Sequence, residues 1–203
     1  MTDAYRTLRG PTTARLSRQR SRFLAYLEPV ASIDEADDRL AVLRRAHHDA
    51  AHHCSAVRLF SPSGPISRAD DDGEPSGSAG APILQHLEGA NLYDVLAVVV
   101  RYFGGAKLGI GGLVRAYGDA VRAALDRADV VVRRIEVEAS ISFPAEVHSG
   151  VMSTIHRFNV SVREISFTDR GRARVRLPPS RFAAFADALR EVTGGRAELE
   201  VRR

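Results

Sequence analysis

Apolar residues recur along this chain at two spacings, and the change from one to the other marks out most of its elements. Residues 95–100 form an unbroken run, Val-Leu-Ala-Val-Val-Val, which predicts a buried strand over 95–102. Ile135, Val137, Ala139 and Ile141 alternate with Glu136, Glu138 and Ser140, the period of a half-buried strand. Ala36, Leu40 and Leu43 recur at intervals of four and three, which predicts a helix to about residue 48. Ser32 and Glu35, three apart, supply its capping box.

The same reading places strands at 5–9 and 22–27, joined by a basic connector holding Arg15, Arg18 and Arg20. A strand over 54–60 precedes the clearest loop, residues 61–75, which is rich in Pro, Gly and Asp. A helix over 78–87 leads to the 95–102 strand, and a Gly-rich turn leads into a helix over 112–128. The second half predicts a helix at 146–158, a strand at 160–167, a turn at 168–171 and a strand ending at 177. A helix at 180–192 is stopped by Gly194-Gly195 before a last strand at 197–201. The fold class is α+β in two domains, 1–132 and 133–203. The β-α-β-β-α-β order of the second predicts a ferredoxin-like domain.

Composition narrows the class. Apolar residues make up 44% and charged residues 27%, values of an ordinary globular protein. The longest apolar run is too short to span a bilayer, and the N-terminal stretch is polar and basic, so no membrane association and a cytoplasmic location are expected. A single cysteine, Cys54, rules out an intramolecular disulfide. The net charge of +4 permits nucleic-acid binding without requiring it. Of the 29 basic residues only Lys107 is not arginine, and arginine pairs bidentately with phosphate or carboxylate.

Five glycines lie between the 95–102 strand and the next helix: Gly104, Gly105, Gly109, Gly111 and Gly112. They let the backbone turn tightly and come close to another surface. A helix start exposes unpaired N–H groups and its positive dipole end, so phosphate is the expected ligand. Arg101, Lys107 and Arg115 add positive charge there. The alternative is that the glycines serve only close packing. The lysine is not followed by Ser or Thr, so this is not a Walker A loop, and the Rossmann spacing fails as well.

Asp70, Asp71, Asp72 and Glu74 cluster before Pro75-Ser76-Gly77-Ser78-Ala79-Gly80. They lack the alternating spacing of a Ca²⁺ loop. A solvated turn explains them, with Ser76 or Ser78 capping the next helix and a carboxylate meeting an arginine. With His52, the residues Asp71, Asp72 and Glu74 make a second candidate polar site. His47, His48, His52, His53 and Cys54 have no structural-zinc spacing, and Cys54 reads as a core residue opening a strand. No metal, cofactor or catalytic residue is assigned. Arg170, Arg172, Arg174 and Arg176 share one strand face, which Glu136, Glu138, Glu198 and Glu200 are expected to meet in a cross-strand ion-pair ladder.

Four segments together resemble the IMPACT family, in its bacterial and archaeal YigZ-like branch. They are Ser21-Arg22-Phe23, Ala50-Ala51-His52-His53-Cys54, Asp71-Asp72-Gly73-Glu74-Pro75-Ser76-Gly77, and the stretch from Arg101-Tyr102-Phe103-Gly104-Gly105 through Gly112-Leu113-Val114-Arg115-Ala116-Tyr117. The family pattern usually has Asn at His53, and Thr is commoner at Ser78. The resemblance implies a two-layer α/β N-terminal domain like domain IV of elongation factor G (ribosomal-protein S5 domain 2-like) and a C-terminal domain like its domain V. It implies a translation-linked role, with RNA, the ribosome or a translation-regulatory protein as partner. Eukaryotic relatives damp the amino-acid-starvation kinase through an extra partner-binding domain absent here. The reading is a non-enzymatic RNA- or ribosome-binding protein. A small-molecule phosphotransferase, with residues 75–80 as phosphate loop, and a pure protein-interaction module are the alternatives.

Overall fold

The computed structural model describes residues 2–202, which fall into two compact units. Tyr5–Arg133 is the larger. The smaller runs from Arg134 onward and includes the N-terminal residues up to Ala4.

The larger unit opens with β1 (Ala4–Leu8), β2 (Thr12–Arg18) and β3 (Ser21–Pro29), followed by α1 (Ile33–Ala46), β4 (His52–Leu59) and β5 (Ile66–Asp70). It continues with α2 (Gly80–Gly89), β6 (Val95–Tyr102), α3 (Ile110–Leu125) and β7 (Val130–Arg134). Five strands form one sheet in the order β2-β3-β6-β4-β5, with every neighbour antiparallel. β1 and β7 form a separate pair.

The central strand β6 explains its own sequence. Val95, Ala97 and Val99 face one core with residues of α2 and α3, while Leu96, Val98 and Val100 face another with Ala36, Leu40 and Leu43 of α1. The two-layer expectation is therefore corrected: helices cover this sheet on both faces, which is why β6 cannot alternate. Ser32 caps α1 as expected, its Oγ accepting from Glu35 N–H at 3.1 Å, while the Glu35 carboxylate accepts from Ala31 N–H at 2.8 Å in place of Ser32 N–H.

Three strands were not legible. β2 lies in the presumed connector and pairs with β3 across a two-residue turn, Gln19-Arg20, both at positive φ. It is an edge strand whose arginines mask its alternation, a common protection of edges. β5 lies inside the presumed loop, paired with β4 yet exposed along its whole length, so it carries no burial signal. β7 was absorbed into the domain boundary.

The smaller unit comprises β8 (Val137–Phe143), a 3₁₀ turn (Ala145–Val147), α4 (His148–Arg157), β9 (Ser161–Phe167), β10 (Gly171–Leu177), α5 (Pro179–Thr193) and β11 (Glu198–Val201). This is the β-α-β-β-α-β succession the sequence predicts, in an antiparallel sheet ordered β11-β8-β10-β9. Ala139, Ile141, Phe143, Ala173, Val175 and Leu177 alternate inward to Val151, Ile155, Phe185 and Leu189 of the helices. The N-terminal residues join this unit. The Asp3 carbonyl accepts from Ile135 N–H at 2.8 Å, and its carboxylate accepts from Ser180 N–H at 2.9 Å.

On the open sheet face the arginine stripe meets carboxylates. Arg170 pairs with Glu198 at 3.2 Å, Arg174 with Glu164 at 3.1 Å and Arg176 with Glu138 at 2.9 Å. The ladder forms only in part: Arg170 and Arg176 meet Glu198 and Glu138 as expected, Glu164 of the neighbouring strand serves Arg174, and among the described residues Arg172 and Glu200 enter no ion pair. Arg174→Ala should change stability by no more than about 1 kcal/mol, because such exposed pairs gain little over water. Denaturant midpoints check this, and a loss of several kcal/mol would contradict it.

Candidate functional site

Three stretches of the larger unit converge beside α3: the start of β4, the acidic turn after β5, and the Gly-rich turn after β6. At their centre is a buried ion pair. Arg101 is 5% exposed and its Nη1 donates to Glu74 Oε1 at 2.6 Å. The same oxygen accepts from Tyr117 OH at 2.6 Å, and Cys54 Sγ donates to that hydroxyl at 3.2 Å. The sequence reading of Arg101 as a mobile phosphate ligand is corrected by this geometry, since β6 turns it inward and Glu74 neutralises it. Burial pushes the Cys54 thiol well above its ordinary range, so it is no thiolate nucleophile. Burial likewise raises Tyr117.

The acidic turn is built for structure. Asp71 Oδ1 accepts from Ala79 N–H at 2.9 Å and Gly80 N–H at 2.8 Å, and Oδ2 accepts from Gly77 N–H at 2.8 Å. Asp71, and neither Ser76 nor Ser78, therefore caps α2, reaching across from the preceding turn. It also occupies the N–H groups on which residues 75–80 would have cradled a phosphate. Asp72 accepts from His53 N–H at 2.6 Å and pairs with Arg44 at 2.7 Å. Among the described residues no group of three or more His, Cys, Asp or Glu is gathered for a metal ion.

Asp71 gives this turn a pH dependence. Partial burial raises its pKa, but the N–H donors of Gly77, Gly80 and Ala79 outweigh that and hold it below the ordinary 3.8. A lowered folded-state pKa means stability that is present above 3.8 and lost as pH falls through the lower folded value. Asp71→Asn should be less stable by about 1–2 kcal/mol at neutral pH. The gap to the unaltered chain should narrow below pH 3.8, and a gap constant with pH would refute this role.

The histidine cluster is dispersed, His47 at the end of α1 and His52 and His53 on opposite faces at the start of β4. His47 sits between Tyr26 OH at 2.7 Å and Tyr102 OH at 2.8 Å. His52 Nδ1 lies 2.8 Å from the Asp72 carbonyl, while its Nε2 is 3.8 Å from Glu74 Oε2. His53 is buried, its pKa is lowered by that burial, and its Nε2 has no partner. Ser78 Oγ is also buried without a partner. These two orphaned atoms fall at the two positions where the sequence departs from the family pattern.

The glycines divide by role. A β-carbon on Gly104 would lie 2.1 Å from the carbonyl carbon of Arg20, so the turn rests directly on the β2–β3 hairpin. Gly105 and Gly109 have φ of +85° and +68° with open space around them. Gly111 and Gly112 lie in the first turn of α3, without positive φ. Gly109 precedes α3 without a side-chain cap, leaving the first N–H groups of the helix unpaired within it. Lys107 and Arg115 are exposed, and among the described residues neither enters an ion pair. A β-carbon on Gly111 would lie 3.9 Å from Arg115 Nη1, which places that guanidinium over the helix start.

A cleft of about 510 Å³ opens between these parts. His52, Glu74, Arg101 and Lys107 line it together with Pro75, Phe103, Leu108, Ile110 and Leu113. Sequence reasoning missed its apolar wall. Phe103 and Ile110 are 53% and 63% exposed, and apolar residues flanking a Gly-rich turn were the available signal.

Fold and site together define a two-unit α+β protein with a cleft between a capped acidic turn and an open helix start. Residues 19–125 match the Impact N-terminal domain, and the chain belongs to the IMPACT family. The IMPACT family member YvyE of Bacillus subtilis (strain 168) is 32% identical over 200 residues, covering 98% of this chain and 92% of that one. The IMPACT family member YigZ of Escherichia coli (strain K12) is 31% identical over 191 residues, covering 94% of each. A crystal structure of a hypothetical protein superposes with a TM-score of 0.71 at 29% identity, over 100% of this chain and 99% of that one. No helix among the described residues is long and apolar enough to cross a membrane.

Proposed function

We propose that this chain is a non-enzymatic RNA- or ribosome-binding protein that modulates translation. The carrying observation is the pair Lys107 and Arg115, exposed and outside any ion pair among the described residues, at the uncapped start of α3. A cation near a helix N-terminus opposes the dipole. The acidic turn does not compensate it, because Glu74 holds Arg101, Asp72 holds Arg44 and Asp71 holds backbone N–H groups. A phosphate would satisfy the helix start and both cations together. Likeness of the two units to domains IV and V of elongation factor G belongs to the same reading, as does a translation-regulatory protein as further partner. The phosphotransferase alternative loses its motive, since Asp71 fills its phosphate loop.

Ribosome co-sedimentation and RNA binding across a salt series test the proposal. Each phosphate contact removed should lower the slope of log affinity against log salt by roughly 0.7–0.9. Lys107→Ala and Arg115→Ala should each do so while remaining folded. Wild-type affinity and slope in both variants would reject the site.

A further inference from the structure

The floor of the cleft has hydrogen-bonding capacity that the fold leaves unused. Glu74 Oε1 is filled by Arg101 and Tyr117. Its Oε2 faces only His52 Nε2 at 3.8 Å, too far for a hydrogen bond, on a carboxylate side chain that is 4% exposed. The Asp72 carbonyl beside His52 Nδ1 can only accept, so Nδ1 carries a proton, and in that tautomer Nε2 presents a lone pair. Two acceptors therefore stand side by side with no donor between them. Arg101 Nε–H is a buried donor, also without a partner. Above this floor the walls are apolar, and Lys107 stands at the rim.

A complementary ligand is flat and apolar on its faces, presents adjacent N–H donors on one edge, and is attached to negative charge. An aliphatic side chain would fill the walls but leave both acceptors dry and unpaired, which is costly. An arginine side chain would supply donors but bring positive charge against Lys107. Uracil has one N–H between two carbonyl oxygens, and those oxygens would face the acceptors. Guanine carries N1–H and the 2-amino group side by side, and its face can stack on the half-exposed Phe103 ring. We infer that the cleft holds one unpaired guanine of single-stranded RNA, read by Glu74 Oε2 and His52 Nε2 and stacked on Phe103. This inference rests on the RNA-binding reading above and specifies its base.

Fluorescent RNA hexamers titrated against the full chain test it: UUUUUU, UUUGUU, and the latter with inosine, which lacks the 2-amino group, in place of G. UUUGUU should bind about tenfold more tightly than UUUUUU, and inosine should lose most of that gain. Phe103→Ala should erase the preference without lowering the melting temperature, because the ring is exposed. Glu74→Gln disturbs the buried ion pair, so the inosine substitution and Phe103→Ala carry the decision. Equal, salt-sensitive binding of all three hexamers would overturn the guanine site and leave the RNA-binding reading standing. So would a preference that survives Phe103→Ala. Ribosome co-sedimentation without hexamer binding would also overturn the guanine site, whereas absence of both would overturn the two readings together.

Discussion

Arg101→Ala is expected to cost the larger unit about 3–5 kcal/mol of unfolding free energy, the scale for breaking a buried ion pair from one side. The guanidinium and the Glu74 carboxylate are both nearly buried and 2.6 Å apart. Removing the cation strands a carboxylate whose remaining donor is Tyr117 OH. Glu74→Gln should cost a similar amount for the converse reason, leaving a buried positive charge. Combining Glu74→Gln with Arg101→Met should cost clearly less than the sum of the single changes, because neither charge is then stranded. Denaturant midpoints of the three variants measure this coupling. Additive losses would mean that the pair is not the unit holding the turn to β6.

Gly104→Ala is the second large effect. The added carbon would sit 2.1 Å from the Arg20 carbonyl carbon and 2.4 Å from both its oxygen and Ser21 N, all backbone atoms that cannot rotate aside. Either the hairpin or the Gly-rich turn must move, and the Gly104 N–H to Ser21 Oγ bond at 3.1 Å goes with it. Overpacking of this kind costs about 1–3 kcal/mol. Gly111→Ala is the internal comparison. It has no close neighbour besides the tip of Arg115 and lies in a helix, where alanine should gain up to about 1 kcal/mol. If both substitutions shift the melting temperature equally, close approach is not what Gly104 provides.

The two halves of this contrast were unequally visible in the sequence. Five glycines before a helix point to close approach somewhere, but only the hairpin turn at Arg20 says where, and it is more than eighty residues away in the chain. β6, α1, β8 and β10 declared themselves because burial imposes a period on side chains. β2 and β5 did not, since edge strands hold their place by backbone hydrogen bonds, which leave no mark on residue type. The charges were found but their partners were not. Arg101 and Glu74 each looked available to a ligand, and it took β6 facing the acidic turn to show that they neutralise one another. Lys107 and Arg115 stayed available, since among the described residues neither enters an ion pair.

The smaller unit begins before the larger one and ends after it, and this sets an order of events as the chain is made. Asp3 leaves the ribosome early, yet its partner Ser180 follows 177 residues later. By then every strand of the five-stranded sheet has been synthesised, so the inserted unit can fold while the interrupted one is still incomplete. Pairing of β1 with β7 then brings the two chain ends of the insertion side by side. A span of more than a hundred residues is thereby reduced to a short link, and the loop-closure entropy the smaller unit would otherwise meet falls with it. Translation that stops short of α5 would leave Asp3 without Ser180 as its partner.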